Sequence, residues 1–325
     1  MKLKDIVKIC YGKNQKLVEV EHSDIPILGT GGIIGYSSKP LYEQESVLIG
    51  RKGTIAMPFY INKPFWAIDT LFYTQINTNI AIPKFLYYLL CTIGLKRYSE
   101  GAAVPSLTVK TLNDIELNIP SLKIQQHIVN TIGSIDDLIE NKQKIINKLI
   151  KQSTNIFRKY CNQKIIKNIN LGKYCKIKTG NLNADSAVEN GKYLFFTCGQ
   201  KDLYINNYAF DCKAIIISGN GEISCKYYEG KFNAYQRTYV LEPERYFYLF
   251  LKQCELSVNN LKNNSRGSVI RFITKGILES ISIPICQNSN VINNKLSIIY
   301  NLISKTKNEI IKLKYIKQKI LNKYF

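Results

Sequence analysis

Apolar positions along this chain follow two different periods, and the change from one to the other happens twice. From Ser121 onward they fall at Ile128, Ile132, Ile135, Ile139, Ile146, Leu149 and Ile156, spacings that line up on one stripe of a helix. The same pattern returns at Ile292, Leu296, Ile299, Ile303, Ile310, Leu313 and Ile320. No proline interrupts either run, and Gly133 is the one weak point of the first. A helix of ~35 residues at ~1.5 Å per residue is roughly 50 Å long. A homodimeric coiled coil would cover each stripe. Two seams in one chain, separated by a complete domain, can instead pair with each other.

Ahead of each long helix the pattern is shorter. SVLIG, AIIIS and DTLFYTQI are alternating or β-branched runs bounded by Gly, Pro and Asn, which predicts strands. PKFLYYLLCTIGLKRYS and ERYFYLFLKQ each predict a short helix, and IELNIP and SISIP predict a last short strand before the period changes.

These blocks are a repeat. Gly12 and Gly180, Gly31 and Gly199, and Gly53 and Gly221 all lie 168 residues apart. KPFWAIDTLFY resembles GKFNAYQRTYV, and Pro120 and Pro284 close the two copies at a spacing of 164. The expected fold class is α+β: two mixed, strand-rich domains at 1–120 and 161–285, separated by two long antiparallel helices at 121–160 and 286–325. The helices form a coiled coil, and the whole has a pseudo-two-fold axis.

Charge adds a partner to this picture. Lys and Arg number 45 against 24 Asp and Glu, for a net charge of +21 and a pI near 9.5. Such an excess predicts a polyanion, nucleic acid first and an anionic membrane surface second, although richness in Lys, Asn and Ile also fits compositional bias. The membrane reading weakens because FLYYLLCTIGL is far short of the ~20 apolar residues a span needs. The opening MKLKDIVKICYGKNQ lacks the apolar core of a signal peptide. Nine cysteines without a C-x-x-C pair, beside only His22 and His127, make a metal site unexpected. Idle thiols in a reducing cytoplasm are the expectation.

Catalytic chemistry finds little support. GRKGT, Gly50 to Thr54, has the letters of a phosphate loop but not their order: Lys52 precedes the glycine, whereas the loop needs Gly-Lys followed by a hydroxyl. No two prolines are adjacent, so the Asn/Asp-Pro-Pro-aromatic loop of an amino-methyltransferase is missing. No proline precedes an aspartate, as the common nuclease motif requires. Two histidines leave little for acid–base work. We expect no catalytic residues, no metal and no cofactor.

GTGGIIGYSS, VLIGRKGTI, FWAIDTLFY and AAVPSLTVKTLNDIELNIPSLKIQQHI together resemble the specificity subunit of type I restriction-modification enzymes, over nearly the whole chain. The resemblance implies that the two domains are target-recognition domains, each reading one half of a split DNA site. It implies that the helices act as ruler and as platform for two modification methyltransferase subunits, joined by restriction (translocase-nuclease) subunits, and that the chain itself is non-catalytic. Pro120, Leu122, Gln125 and Ile128 match the family's start of the first helix. At the second start Pro284 is kept but Ser289 stands where glutamine is expected. The chain is also short for the family.

Phosphate contacts position and base contacts specify. Polar residues beside glycines are the candidate readers, because loops there can enter a groove. In the first copy these are Lys13, Asn14, Thr30, Tyr36, Arg51, Lys52, Arg97 and Ser106. In the second they are Lys178, Asn181, Gln200, Lys201, Asn220, Gln236, Arg237, Arg266 and Arg271. Arg matches guanine O6 and N7, and Asn or Gln matches adenine. Gly31, Gly32, Gly53 and Gly221 are expected as turn residues with positive φ, and Trp66 as core. Candidates for helix–helix and partner contact are Gln125 and the apolar stripe positions. The rival readings are a basic coiled-coil scaffold without sequence preference, a specificity subunit serving a fused nuclease–methyltransferase, and a nuclease with an unrecognised site.

Overall fold

The computed structural model describes residues 1–52, 57–100, 106–199, 201, 203–263 and 272–325, with backbone only at 259–263. The chain forms two compact units. Unit 1 comprises Met1–Asn141 and Glu309–Phe325, and unit 2 comprises Lys142–Asn308.

Unit 1 holds β1 (Val7–Tyr11), β2 (Glu19–Val20), β3 (Ile25–Gly29), β4 (Gly32–Ser37), β5 (Ser46–Gly50), β6 (Phe59–Ile61), β7 (Trp66–Ala67), β8 (Leu71–Ile76), α1 (Pro83–Thr92) and α2 (Val109–Asn113). It also holds the start of α3 (Leu122–Cys161). One sheet runs β1-β8-β5-β6 and a second runs β2-β4-β3-β7. All five residues of β5 are buried, as a continuous apolar run flanked by strands predicts. Its one hydroxyl, on Ser46, donates to the Thr74 carbonyl at 2.8 Å.

Unit 2 contains β9 (Lys167–Asn170), α4 (Leu171–Tyr174), β10 (Cys175–Thr179), β11 (Tyr193–Phe196), β12 (Leu203–Ile205), β13 (Phe210–Ser218), β14 (Cys225–Ala234) and β15 (Thr238–Pro243). After these come α5 (Phe247–Asn263), α6 (Lys275–Ser280), β16 (Ser282–Ile285) and the start of α7 (Ser289–Tyr324). Its main sheet runs β10-β15-β13-β14-β11-β12. The strand order matches unit 1 once β6 and β7 are taken as one interrupted β14. Leu28 pairs with Ala67 in parallel in the first unit, and Phe196 pairs with Ala234 in parallel in the second.

Two expectations fail locally. IELNIP forms no strand in unit 1, where only Glu116 bridges to Lys2. Leu117 N–H donates to the Met1 carbonyl and Leu3 N–H to the Ile115 carbonyl, and the chain then turns into the 3-10 helix Leu3–Asp5. In unit 2 the same position has a longer partner, so β16 pairs with β9 over four residues. The block after Pro83 breaks at Gly94 (φ 62°) into a 3-10 turn, Leu95–Tyr98, because the left-handed backbone cannot continue a helix.

The long helices run antiparallel within each unit. In unit 1, Asp136 meets Lys317 and His127 meets Tyr324. In unit 2, Tyr160 meets Ser289. Ile128, Ile132, Ile135, Ile146, Ile292, Leu296, Ile299, Ile303 and Ile310 are buried. Ile139, Leu149, Ile156, Leu313 and Ile320 are half-buried. The stripe is therefore consumed inside the chain.

Gln125 is a correction. It is fully buried: its Oε1 accepts from Ile82 N–H at 2.8 Å, and its Nε2 donates to the Ile80 and Pro120 carbonyls, each at 2.8 Å. Its amide closes the start of α1 and faces no external partner. In unit 2 that duty passes to Asn293, whose Oδ1 accepts from Tyr248 and Leu249 N–H. Ser289, meanwhile, accepts from Cys286 N–H at 2.9 Å.

Replacing Gln125 with Ala leaves one buried donor and two carbonyls unpaired, so unit 1 should lose about 2–4 kcal/mol. Hydrogen exchange would show this as faster exchange across α1 with α5 unchanged.

Candidate nucleic-acid interface

β1 and β5 both run antiparallel to β8, so they leave the sheet at the same end. Tyr11 pairs with Phe72 and Gly50 with Leu71 at that end. The segments after Tyr11 and after Gly50 therefore flank the turn that enters β8. The turn after β3 joins them, because β3 lies parallel to β7 and Ile68 N–H donates to the Leu28 carbonyl. In unit 2 the same argument gathers the segments after Thr179, Phe196 and Ser218 around the start of β15.

This crowding requires glycine in two places. A Cβ on Gly12 would sit 1.9 Å from the Ile68 carbonyl oxygen, and one on Gly180 would sit 1.7 Å from that of Ala234. Only a residue without Cβ lets the two backbones approach so closely. Lys13 is held beside this contact: its N–H donates to the Ala67 carbonyl at 2.8 Å, and its carbonyl accepts from Trp66 Nε1 at 2.9 Å. Trp66 is accordingly core, 7% exposed, with its polar atom satisfied. Asn14 spends its Oδ1 on Lys16 N–H in a local turn.

A second backbone frame is common to both units. In unit 1, Arg51 N–H donates to the Thr70 carbonyl at 2.8 Å, and Leu107 N–H donates to the Arg51 carbonyl at 3.0 Å. In unit 2, Gly219 N–H donates to the Arg237 carbonyl at 2.8 Å, and Ile273 N–H donates to the Gly219 carbonyl at 2.8 Å. Thr70 and Arg237 are thus equivalent, as are Arg51 and Gly219. Among the described residues each unit places one guanidinium on this frame, but on a different arm. Arg51 lies 5.3 Å from the Tyr11 ring centre, and Arg237 lies 5.7 Å from that of Phe272. Tyr11 and Phe272 are more than half exposed, so both guanidiniums rest on solvent-facing rings.

Of the candidate readers, Lys13, Asn14, Thr30, Arg51, Lys52 and Ser106 share the loop end of unit 1, with Lys52 and Ser106 bridged to each other. Asn181, Lys201, Asn220, Gln236 and Arg237 share the loop end of unit 2, where Gln236 donates to Asn183 Oδ1 at 2.8 Å. Three stand apart. Tyr36 is on β4, Arg97 folds over its neighbour Tyr98 at 4.9 Å, and Lys178 lies within β10, 3.5 Å from Glu242. Gln200, Arg266, Arg271 and Gly53 lie outside the described residues. Gly32 (φ 112°) and Gly221 (φ 60°) have the expected left-handed backbone, but Gly31 does not: the β3–β4 turn takes its positive φ at Gly32 alone. Tyr11 and Phe272 were missed. Tyr11 stands directly before the repeated glycine, a signal that alignment of the copies contained.

Burial, then Glu255, pushes the Tyr300 hydroxyl well up; burial, then Asp136, does the same for Tyr88. Both stay protonated and donate, Tyr300 to Glu255 at 2.6 Å and Tyr88 to Asp136 at 2.7 Å. The Cys212 thiol is raised to about 11 by burial, followed by Glu242. Among the described residues no group of three metal-ligating side chains is gathered, and no helix is long and apolar enough to cross a membrane.

Residues 1–151 and 158–315 match the family described as Type I restriction modification DNA specificity domain. The chain belongs to that family. Over 147 residues this specificity-domain chain is 40% identical to the type I restriction enzyme EcoDI specificity subunit of Escherichia coli, a match covering 43% of this chain and 32% of the relative. Over 184 residues it is 30% identical to the MjaIX specificity subunit of Methanocaldococcus jannaschii, covering 49% of this chain and 42% of that one. The matched segments thus span well under half the length of these relatives. A crystal structure of the type I restriction-modification system S subunit from M. genitalium superposes with a TM-score of 0.66 at 16% identity, covering 100% of this chain and 95% of that one. That likeness concerns the fold.

Trp66 is the only tryptophan and is bonded to the carbonyl that positions Lys13. Its emission should be blue-shifted and poorly quenched by acrylamide. Addition of a duplex that engages the Lys13 loop should change it, and a Gly12→Ala variant should already show the red-shifted, quenchable emission of a displaced loop.

Proposed function

We propose that the chain is the DNA-reading subunit of a type I restriction-modification complex, each unit reading one short word of a gapped, asymmetric site through its loop end. One observation carries this reading. Both units build the same backbone frame at that end, yet equip it with different polar side chains on different arms. A frame that repeats while its readers differ is what two unlike words demand, since base edges in the major groove are distinguished by donor and acceptor pattern. Modification methyltransferase subunits supply the chemistry, and restriction subunits join them. Most of the stripe that pairs α3 with α7 is buried, so methyltransferase docking falls chiefly to other positions. Val291, Ile298 and Leu302 of α7, spaced by seven and four, are each about half exposed and share one face.

The deciding experiment is a selection from a random duplex pool by the chain purified with its methyltransferase subunit, at a fixed salt concentration. Two short fixed words with an indifferent gap are expected. Tight binding without any consensus would overturn the reading and leave a basic scaffold. In the same assay Arg51→Ala should relax one position of one word and Arg237→Ala one position of the other, each by roughly 1–3 kcal/mol of discrimination. A heptad inserted at the same level in α3 and α7, after Asn141 and before Glu309, should lengthen the gap and leave both words intact.

A further inference from the structure

The repeat is broken in its charge. In unit 2, residues 142–161 of α3 carry six basic side chains and residues 289–308 of α7 carry three, and neither stretch has an acidic one. The unit 1 portion of the same helices contains Asp136, Asp137, Glu140 and Glu309. The basic residues of α3 in unit 2 are also ordered. Lys148, Lys151, Asn155 and Lys159 follow one another at spacings of three and four, so they occupy one helical face. All are exposed, and with Gln152 they line a shallow depression bordered by half-buried Ile156. Ile146, Ser153, Phe157 and Tyr160 are buried on the other side of the helix.

We propose that this lysine face of α3 holds the phosphate backbone of duplex DNA outside the words that the loops read, adding affinity without adding sequence preference. The inference rests on the chain being a DNA specificity subunit, and goes beyond it by naming a second contact surface. Charge decides for DNA over protein. A protein-docking patch is depleted in Lys at its centre and enriched in aromatic residues, Met and Arg. The depression on this face is instead lined by three ammonium groups with half-buried Ile156 as its one apolar side chain, and Ile145, one turn before Lys148, is the exposed apolar residue at its edge. The exposed apolar residues of the paired helices in unit 2 that share a face, Val291, Ile298 and Leu302, lie on α7 instead. The lysines extend over about 16 Å of helix, enough to meet several successive phosphates. Their long stems let a point charge follow a backbone whose exact position varies with the sequence beneath it.

The test compares the wild-type chain with Lys148→Gln/Lys151→Gln/Lys159→Gln and with the matching triple Arg variant, each purified with the methyltransferase subunit. Binding to the selected target duplex and to a scrambled duplex is measured across a salt series. For the Gln variant, affinity for both duplexes should fall by the same factor, leaving their ratio within about twofold. Its slope of log affinity against log salt should become shallower by roughly 2–3, while the Arg variant should keep the wild-type slope. An unchanged slope overturns the proposal. So does loss of methyltransferase binding by the Gln variant, because the face would then be a protein dock. A wild-type chain that prefers no duplex would instead overturn the functional reading, and the slope would still decide the lysine face.

Discussion

Ile128 and Ile132 from α3 and Leu321 from α7 sit in the same core as Val7 of the first strand and Phe85 of the first short helix. Neither sheet unit supplies this last face from its own strand-rich segment. Each needs one portion of both long helices, so the seam is part of each unit's interior. Apolar burial supplies the energy, at about 25 cal/mol per Å² removed from water. Polar contacts fix the register. Asp136 accepts from the Tyr88 hydroxyl and binds the Lys317 ammonium at once, which ties α1, α3 and α7 together at a single height. Tyr160 does the equivalent in unit 2, reaching the Pro284 carbonyl and the Ser289 hydroxyl.

From that fixed interior the loop ends follow by strand direction. Antiparallel pairing of β1 and β5 with β8 brings their exits together, and two glycines without room for a Cβ let those exits pack against the chain entering the central strands. The frame is rigid in backbone and permissive in side chain. Moving the arginine from the arm at Arg51 to the arm at Arg237 changes where a guanidinium stands without changing any of the backbone hydrogen bonds that hold the arm.

Much of this was legible beforehand. The helical stripes carry an unbroken period over many turns, and β5 and the second half of β13, Ala214–Ser218, are largely apolar runs whose burial their composition dictates. The repeat could be counted from glycine spacing, and in one of its three pairs, Gly12 and Gly180, close backbone approach tolerates no other residue. What was not legible depended on partners distant in sequence. IELNIP has the composition of a strand, but its pairing is limited by what lies opposite it. Gln125 was expected at a helix–helix or partner contact, whereas its oxygen is taken by the start of α1, a partner more than forty residues away in sequence. Among the candidate readers, proximity to glycine gathered residues of the loop ends but also took in Lys178 and Tyr36, which lie within strands, and Arg97, which folds over Tyr98. The rings beneath the arginines escaped notice because Tyr and Phe read as packing.

The division of the chain also dictates an order of events during synthesis. Unit 2 is one continuous stretch, Lys142–Asn308, while unit 1 is completed only by Glu309–Phe325. The strands of unit 1 must therefore wait, with the apolar face that Leu321 covers still wet, until the whole of unit 2 has been made. A stop codon placed within residues 309–325 would spare unit 2 and leave unit 1 open.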